Sequence, residues 1–183
     1  MNEYNKEQIK KETEYEALMY FLEAYEEITG QVLAAVEKSE RPDFICCKQN
    51  GIKVGIELVQ VRRGHPNRVF IDKYIYKQEY MSPEDAIEIL QMEVVKKEKK
   101  RNERDWKLPL SSILLIELPE IPLSNIVNRI SPNNTPDIYS TGFTEVWIVD
   151  FTGIEAYGNV ELLCVTPQMT MGYYRRDIQK SYG

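Results

Sequence analysis

Residues 41–60 read RPDFICCKQNGIKVGIELVQ, and this stretch decides the fold that we expect. Asn50-Gly51 lies between two apolar runs rich in strand-favouring residues, and this pair is typical of the tight turn of a β-hairpin. We therefore predict strands at about 42–48 and 52–62. The hairpin carries one carboxylate on each strand, Asp43 and Glu57, near the same open end. Two acidic side chains held together on strands repel each other, so a cation between them would stabilise the pair.

Patterns on both sides of the hairpin predict helices and further strands. Apolar residues at helical spacing predict a helix over residues 12–36, with a break left open at Gly30. Ser82-Pro83-Glu84-Asp85 has the cap, proline and acids of a helix start, and the helix should run to about residue 104. Apolar segments predict strands at 112–118, 145–150 and 160–165, with a short helix at 123–130 and a loop at 132–136. Residues 63–81 read as an irregular connection, and the tail from residue 167 has no clear pattern. The order predicts an α/β sandwich around a mixed sheet.

Length and composition are those of one soluble domain covering residues 1–183. The sequence has no apolar run of about 18 residues and no secretory signal, so we expect a cytoplasmic protein without a membrane span. Its three cysteines lack metal-site spacing and are expected to be free thiols. The single histidine, His65, excludes a site built from several histidine ligands.

The chain resembles the PD-(D/E)XK nuclease superfamily, which has the restriction-endonuclease-like fold. In that family a Pro-Asp begins one strand and an acid-x-Lys sits on the next, within an αβββαβ core. Pro42-Asp43 and Glu57-Leu58-Val59 stand at the matching places here. The resemblance covers about residues 12–118 and implies a central mixed sheet flanked by helices, with additional strands in residues 119–183.

This resemblance implies Mg²⁺-dependent hydrolysis of phosphodiester bonds in DNA rather than RNA, with Mn²⁺ as the other candidate ion. Asp43 and Glu57 would bind the ion, and the backbone carbonyl of Leu58 would be a further ligand. A helix glutamate often assists in this family. Glu14, four residues before Leu18 on the apolar line of the first helix, is the first candidate and Glu27 the next. With one site per chain, a concerted double-strand cut would call for a homodimer.

The sequence departs from the family at the motif lysine, where it has Val59. Gln60 is one candidate replacement, although strand alternation points it to the opposite face unless a bulge intervenes. Lys97 is the other, since it continues the helical stripe of Ile87, Leu90 and Val94 and could reach the sheet from there. Some members of the superfamily place their lysine on that helix.

The departure leaves a second function open, a catalytically inactive member of the fold that serves as a binding or interaction module. The formal charge of −6 keeps a third one open, an acidic α/β protein with no nucleic-acid role. Two basic segments, residues 62–68 and 96–101, are candidates for phosphate contact or for solvated surface. For Asp43 and Glu57 the structural alternative is a turn cap or an exposed strand acid.

Overall fold

The computed structural model describes residues 3–39, 41–62, 81–103, 111–154 and 158–177. Its helices and strands are α1 (Glu3–Thr29), β1 (Leu33–Lys38), β2 (Phe44–Lys48), β3 (Lys53–Gln60), α2 (Pro83–Arg101), β4 (Ser111–Glu117), α3 (Pro136–Tyr139), β5 (Glu145–Asp150), β6 (Asn159–Thr166) and β7 (Gly172–Asp177). Short 3₁₀ turns lie at Leu123–Asn125, Val127–Arg129 and Gln168–Thr170. The protein is therefore of mixed α/β class.

The strands of the described residues form one mixed sheet in which they lie side by side in chain order. β1, β2 and β3 are antiparallel neighbours, β4 and β5 lie parallel to β3, and β6 and β7 return to antiparallel pairing. The β2–β3 pair is the predicted hairpin, with Phe44 opposite Ile56. Gly51 has φ of 81°, a left-handed conformation that glycine adopts without a steric penalty.

A helix covers each face of the sheet. On one face, Leu18, Phe21 and Tyr25 of α1 pack in one apolar cluster with Ile56 and Leu58 of β3. On the other face, α2 packs in a second cluster over Val59 and Val61 at the end of β3. Glu57 alternates with Ile56 and Leu58, so its side chain points to the α2 face, whereas Gln60 points to the α1 face.

The predicted helix over residues 12–36 is wrong at both ends. α1 begins by Glu3 and stops at Thr29, and Gly30 follows it with φ of 68°. The Gly30 N–H donates to the Glu26 carbonyl, as expected of a glycine just beyond a helix C-terminus. Residues 33–38 instead form β1, because the backbone of this short apolar segment pairs with β2. The apolar pattern that crosses Gly30 belongs to two different elements.

Local signals placed the other elements within a few residues. The Ser82 hydroxyl accepts from the Asp85 N–H at 3.1 Å, which confirms the predicted start of α2, although the helix ends at Arg101 rather than at about 104. The three later strands are confirmed with shifts of one residue or none. The short helix expected at 123–130 is a pair of 3₁₀ turns, and β7 occupies the tail for which the sequence made no prediction.

Three further expectations concern the connection after β3, the absence of a membrane span and the cysteines. Most of the connection predicted over 63–81, and residues 63–68 of the basic segment there, lie outside the described residues. Across the described ranges, no helix combines the length and the apolar character that a membrane crossing requires. Cys46, Cys47 and Cys164 are free thiols, two of them buried, and burial raises the pKa of the Cys46 thiol to about 11.

Candidate active site

Asp43 and Glu57 meet at the open end of the hairpin. Asp43 directly precedes β2, whose first residue pairs with Ile56, so the antiparallel register brings Asp43 beside the residues that follow Ile56. The Glu57 side chain is 5% exposed and that of Asp43 is 33% exposed. One carboxylate is thus buried under α2 while the other lies at the rim of the same site.

The Leu58 backbone lies between these two acids because β3 extends past the start of β2. Beyond the Phe44–Ile56 pair, β2 supplies no backbone partner for the N–H and C=O of Leu58. The Asp43 side chain accepts the Leu58 N–H at 2.8 Å. The Leu58 carbonyl accepts from the Lys97 ammonium at 3.1 Å. Both groups that lack a strand partner are therefore satisfied by the candidate site residues.

Lys97 reaches the site from α2. Leu90 and Val94, which precede it on the same helix face, are fully buried against the sheet. The Lys97 ammonium donates to Glu57 Oε1, and its Nζ lies 4.0 Å from Asp43 Oδ2. Its side chain keeps 16% exposure. The structure thus brings together four of the residues that the sequence selected: Asp43, Glu57, Leu58 and Lys97.

Burial is the main influence on the pKa of Glu57. Desolvation raises the pKa of its carboxyl group, the Lys97 ammonium lowers that pKa, and the Asp43 carboxylate raises it. Glu57 Oε2 is buried and has no hydrogen-bond partner among the described residues. A carboxylate oxygen buried without a donor is costly, so this site favours a cation that can bind there.

The donor set fits a small hard cation. It consists of two carboxylates and one backbone carbonyl, the oxygen ligands that Mg²⁺ prefers. No group of three or more Asp, Glu, His or Cys side chains suited to a metal converges anywhere in the described ranges. An ion held by Asp43, Glu57 and the Leu58 carbonyl would therefore keep several water ligands, as Mg²⁺ commonly does.

The structure does not bring Gln60 to this site. Its side-chain amide donates to Glu117 Oε2 at 2.7 Å, on the α1 face of the sheet. Burial raises the pKa of the Glu117 carboxyl group, and the Gln60 hydrogen bond and Arg62 oppose that shift. Glu14 also raises the Glu117 pKa, so it lies close enough to act on this second carboxylate. Glu27, the other helix candidate, forms an ion pair with Arg176 of β7.

Sequence reasoning missed the Gln60–Glu117 pair. The available signal was the glutamate itself, which stands next to the last residue of the apolar run 112–118. In the structure it is 8% exposed. Glutamate is seldom so buried without a partner. The identity of that partner depends on the parallel register, in which Gln60 lies beside Glu117.

The described residues of the two basic segments do not form a continuous strip of positive charge. In residues 96–101, Lys96 pairs with Glu93 and Arg101 pairs with Glu98, so both cations have acidic partners. Lys99 and Lys100 are exposed. Arg62, the one residue of the 62–68 segment within the described ranges, is also exposed and follows β3 at the site end of the strand.

No protein-family model matches the chain, and a search of the curated proteins found no match. What can be inferred about function therefore comes from the chemistry of the site.

Proposed function

We propose that this protein is an Mg²⁺-dependent nuclease with a restriction-endonuclease-like core, and that its substrate is DNA. The observation that carries the proposal is the convergence of Asp43, Glu57, the Leu58 carbonyl and the Lys97 ammonium. These groups come from three places in the chain, and Lys97 lies 40 residues beyond Glu57.

The order of elements supports the same proposal. α1, β1, β2, β3, α2 and β4 follow one another as in the αβββαβ core that the sequence resembles. Both acids lie on the second and third strands of that order or directly beside them. Val59, at the motif lysine position, is buried under α2, the helix that supplies Lys97. An ammonium from α2 would thus serve the face of β3 on which a motif lysine would stand.

Asp43, Glu57 and Leu58 would hold the ion. When bound, Mg²⁺ would polarise a phosphate oxygen and lower the pKa of a bound water, which makes that water a nucleophile. Glu57 would fix the ion from the buried side, and Asp43, at the rim, would leave the outer side open to a phosphodiester. Lys97 would place positive charge beside the phosphate as charge develops on it.

Cleavage assays test this function. Wild-type protein incubated with supercoiled plasmid or single-stranded DNA in Mg²⁺ or Mn²⁺ should cut at least one of these substrates. Asp43→Asn, Glu57→Gln and Lys97→Met should each reduce the rate by at least about 100-fold, the scale of a lost charge-stabilising group. Lys96→Met is the matched control, because Lys96 is exposed on the same helix and pairs with Glu93.

Two results would contradict the proposal. Either the wild-type protein cuts no DNA with either ion, or Asp43→Asn and Glu57→Gln cut as fast as the wild type. Circular dichroism spectra of the variants must match that of the wild type, so that a lost fold is not taken for lost catalysis.

A binding module without catalysis is the second candidate. The observation that favours it is the Lys97 ammonium, which already neutralises Glu57 in the site. Retention on DNA without cleavage, unchanged in Asp43→Asn, would identify this function instead.

A further inference from the structure

The Lys97 ammonium lies among three oxygen atoms. It donates to Glu57 Oε1 and to the Leu58 carbonyl, the latter at 3.1 Å, and it lies 4.0 Å from Asp43 Oδ2. These oxygens belong to the same three residues that would bind the divalent ion. The side chain thus places a positive charge where the proposed ion would have to lie.

A divalent ion and the ammonium cannot share this position. Each would need the Leu58 carbonyl and a Glu57 oxygen at close range, and two cations in contact repel each other beside a carboxylate that is only 5% exposed. The lysine can leave without any change in the backbone, because its charge is carried at the end of a flexible four-carbon stem.

We propose that Lys97 is the resident cation of the ion-free site and that a divalent ion binds by displacing its ammonium from Glu57 and Leu58. This inference rests on the proposed function, since it takes the ion site as given. Lys97 thereby holds the two acids in place before the ion arrives, and it weakens ion binding. Displacement also frees the ammonium from its ion pair, so it becomes available to a phosphate when the ion is bound.

If the divalent ion exchanges with the Lys97 ammonium in this way, removing the ammonium should strengthen ion binding. Lys97→Met should bind Mn²⁺ roughly tenfold more tightly than the wild type, a coupling of ordinary size between two sites. Isothermal titration calorimetry without DNA measures this affinity directly. Lys96→Met should bind Mn²⁺ as the wild type does, and Asp43→Asn should lose the binding.

A second measurement uses the wild-type protein, so it does not depend on how a variant folds. Coupling between two binding events is reciprocal, so saturating Mg²⁺ should release Lys97 as much as Lys97 opposes Mg²⁺. Acetylation by acetic anhydride, followed by peptide mass spectrometry, should then increase several-fold at Lys97 when Mg²⁺ is added. Lys96 is the internal control, because its side chain is 57% exposed and should react equally in both conditions.

The outcomes separate this inference from the proposed function. Tighter binding to Lys97→Met together with increased acetylation supports the exchange. Equal or weaker binding to Lys97→Met, or unchanged acetylation while an Asp43-dependent ion is bound, overturns the exchange and leaves metal-dependent hydrolysis standing. Absence of Asp43-dependent binding in both proteins overturns the exchange and the ion site together.

Discussion

The contacts of the buried Glu57 carboxylate are the most informative feature of this site. One of its oxygens accepts from Lys97 and the other has no partner among the described residues. Asp43 also has a structural role, because it accepts the Leu58 N–H that β2 leaves unpaired. Asp43 therefore supports the end of β3, besides the ion binding that we propose for it. This role of Asp43 is neither the turn cap nor the exposed strand acid that the sequence left open as the structural alternative.

Removing the ammonium should destabilise the protein in a pH-dependent way. Lys97→Met leaves Glu57 buried without its counter-charge, and we expect a loss of about 2–3 kcal/mol at pH 7. This is less than the ~3–5 kcal/mol of a fully buried pair, because the Lys97 side chain keeps 16% exposure. Urea unfolding measures the free energy.

The sign of the pH dependence follows from the raised pKa of Glu57. A carboxyl group with a higher pKa in the folded state takes up a proton first in that state, so the contribution of Glu57 to the free energy of unfolding increases as the pH falls from 7 towards 5. Without Lys97 the pKa of Glu57 rises further. The deficit in the free energy of unfolding of Lys97→Met, relative to the wild type, should therefore shrink towards pH 5. A deficit that is constant or larger at pH 5 would show that Glu57 is not the group left unpaired. Lys96→Met should change stability by less than about 0.5 kcal/mol at either pH.

Individual elements could be predicted where the signal was local. Asn50-Gly51 and the Ser82 cap specify a turn and a helix start within a few residues, and both are present. β1 escaped prediction because its residues continue the apolar pattern of α1 across Gly30, and β7 because its segment, Gly172–Asp177, has no apolar run. Lys97 could be selected because helical periodicity aligns it with Leu90 and Val94. Its Leu58 contact depends on where β2 starts relative to β3, which the sequence does not reveal.

We expect the left-handed conformation of Gly30 to fix the boundary between α1 and β1. Gly30→Ala has room for the added carbon but must adopt φ of 68°, so we expect a loss of about 1–2 kcal/mol in thermal or urea unfolding. Gly172→Ala is the matched control, since only ordinary contacts surround the added carbon and its φ is not positive. Equal effects of the two substitutions would mean that the left-handed conformation does not fix this boundary.

At the scale of the whole molecule, a formal charge of −6 must be reconciled with the DNA substrate that we propose. Contact with phosphates depends on local charge, and the site end of β3 presents exposed Arg62. Lys53, at the other end of the same strand, is exposed as well. These two cations allow a matched test of which end of β3 faces DNA.

Arg62→Ala should lower the dependence of DNA affinity on salt. The slope of log K against log salt should fall by about 1 if Arg62 neutralises one phosphate. Lys53→Ala should leave the slope unchanged. Fluorescence anisotropy with labelled DNA at several salt concentrations gives both slopes. An unchanged slope for Arg62→Ala would place the DNA away from this end of the strand.

A crystal structure of the protein soaked in Mn²⁺ tests the central claim most directly. The anomalous signal should show an ion within about 2.5 Å of carboxylate oxygens of both Asp43 and Glu57 and of the Leu58 carbonyl, the range of direct ligation for a small divalent ion. The Lys97 ammonium should no longer contact Leu58. A soaked crystal with no ion between the two acids, and Lys97 still donating to Glu57 and Leu58, would contradict the claim that this site binds a divalent ion.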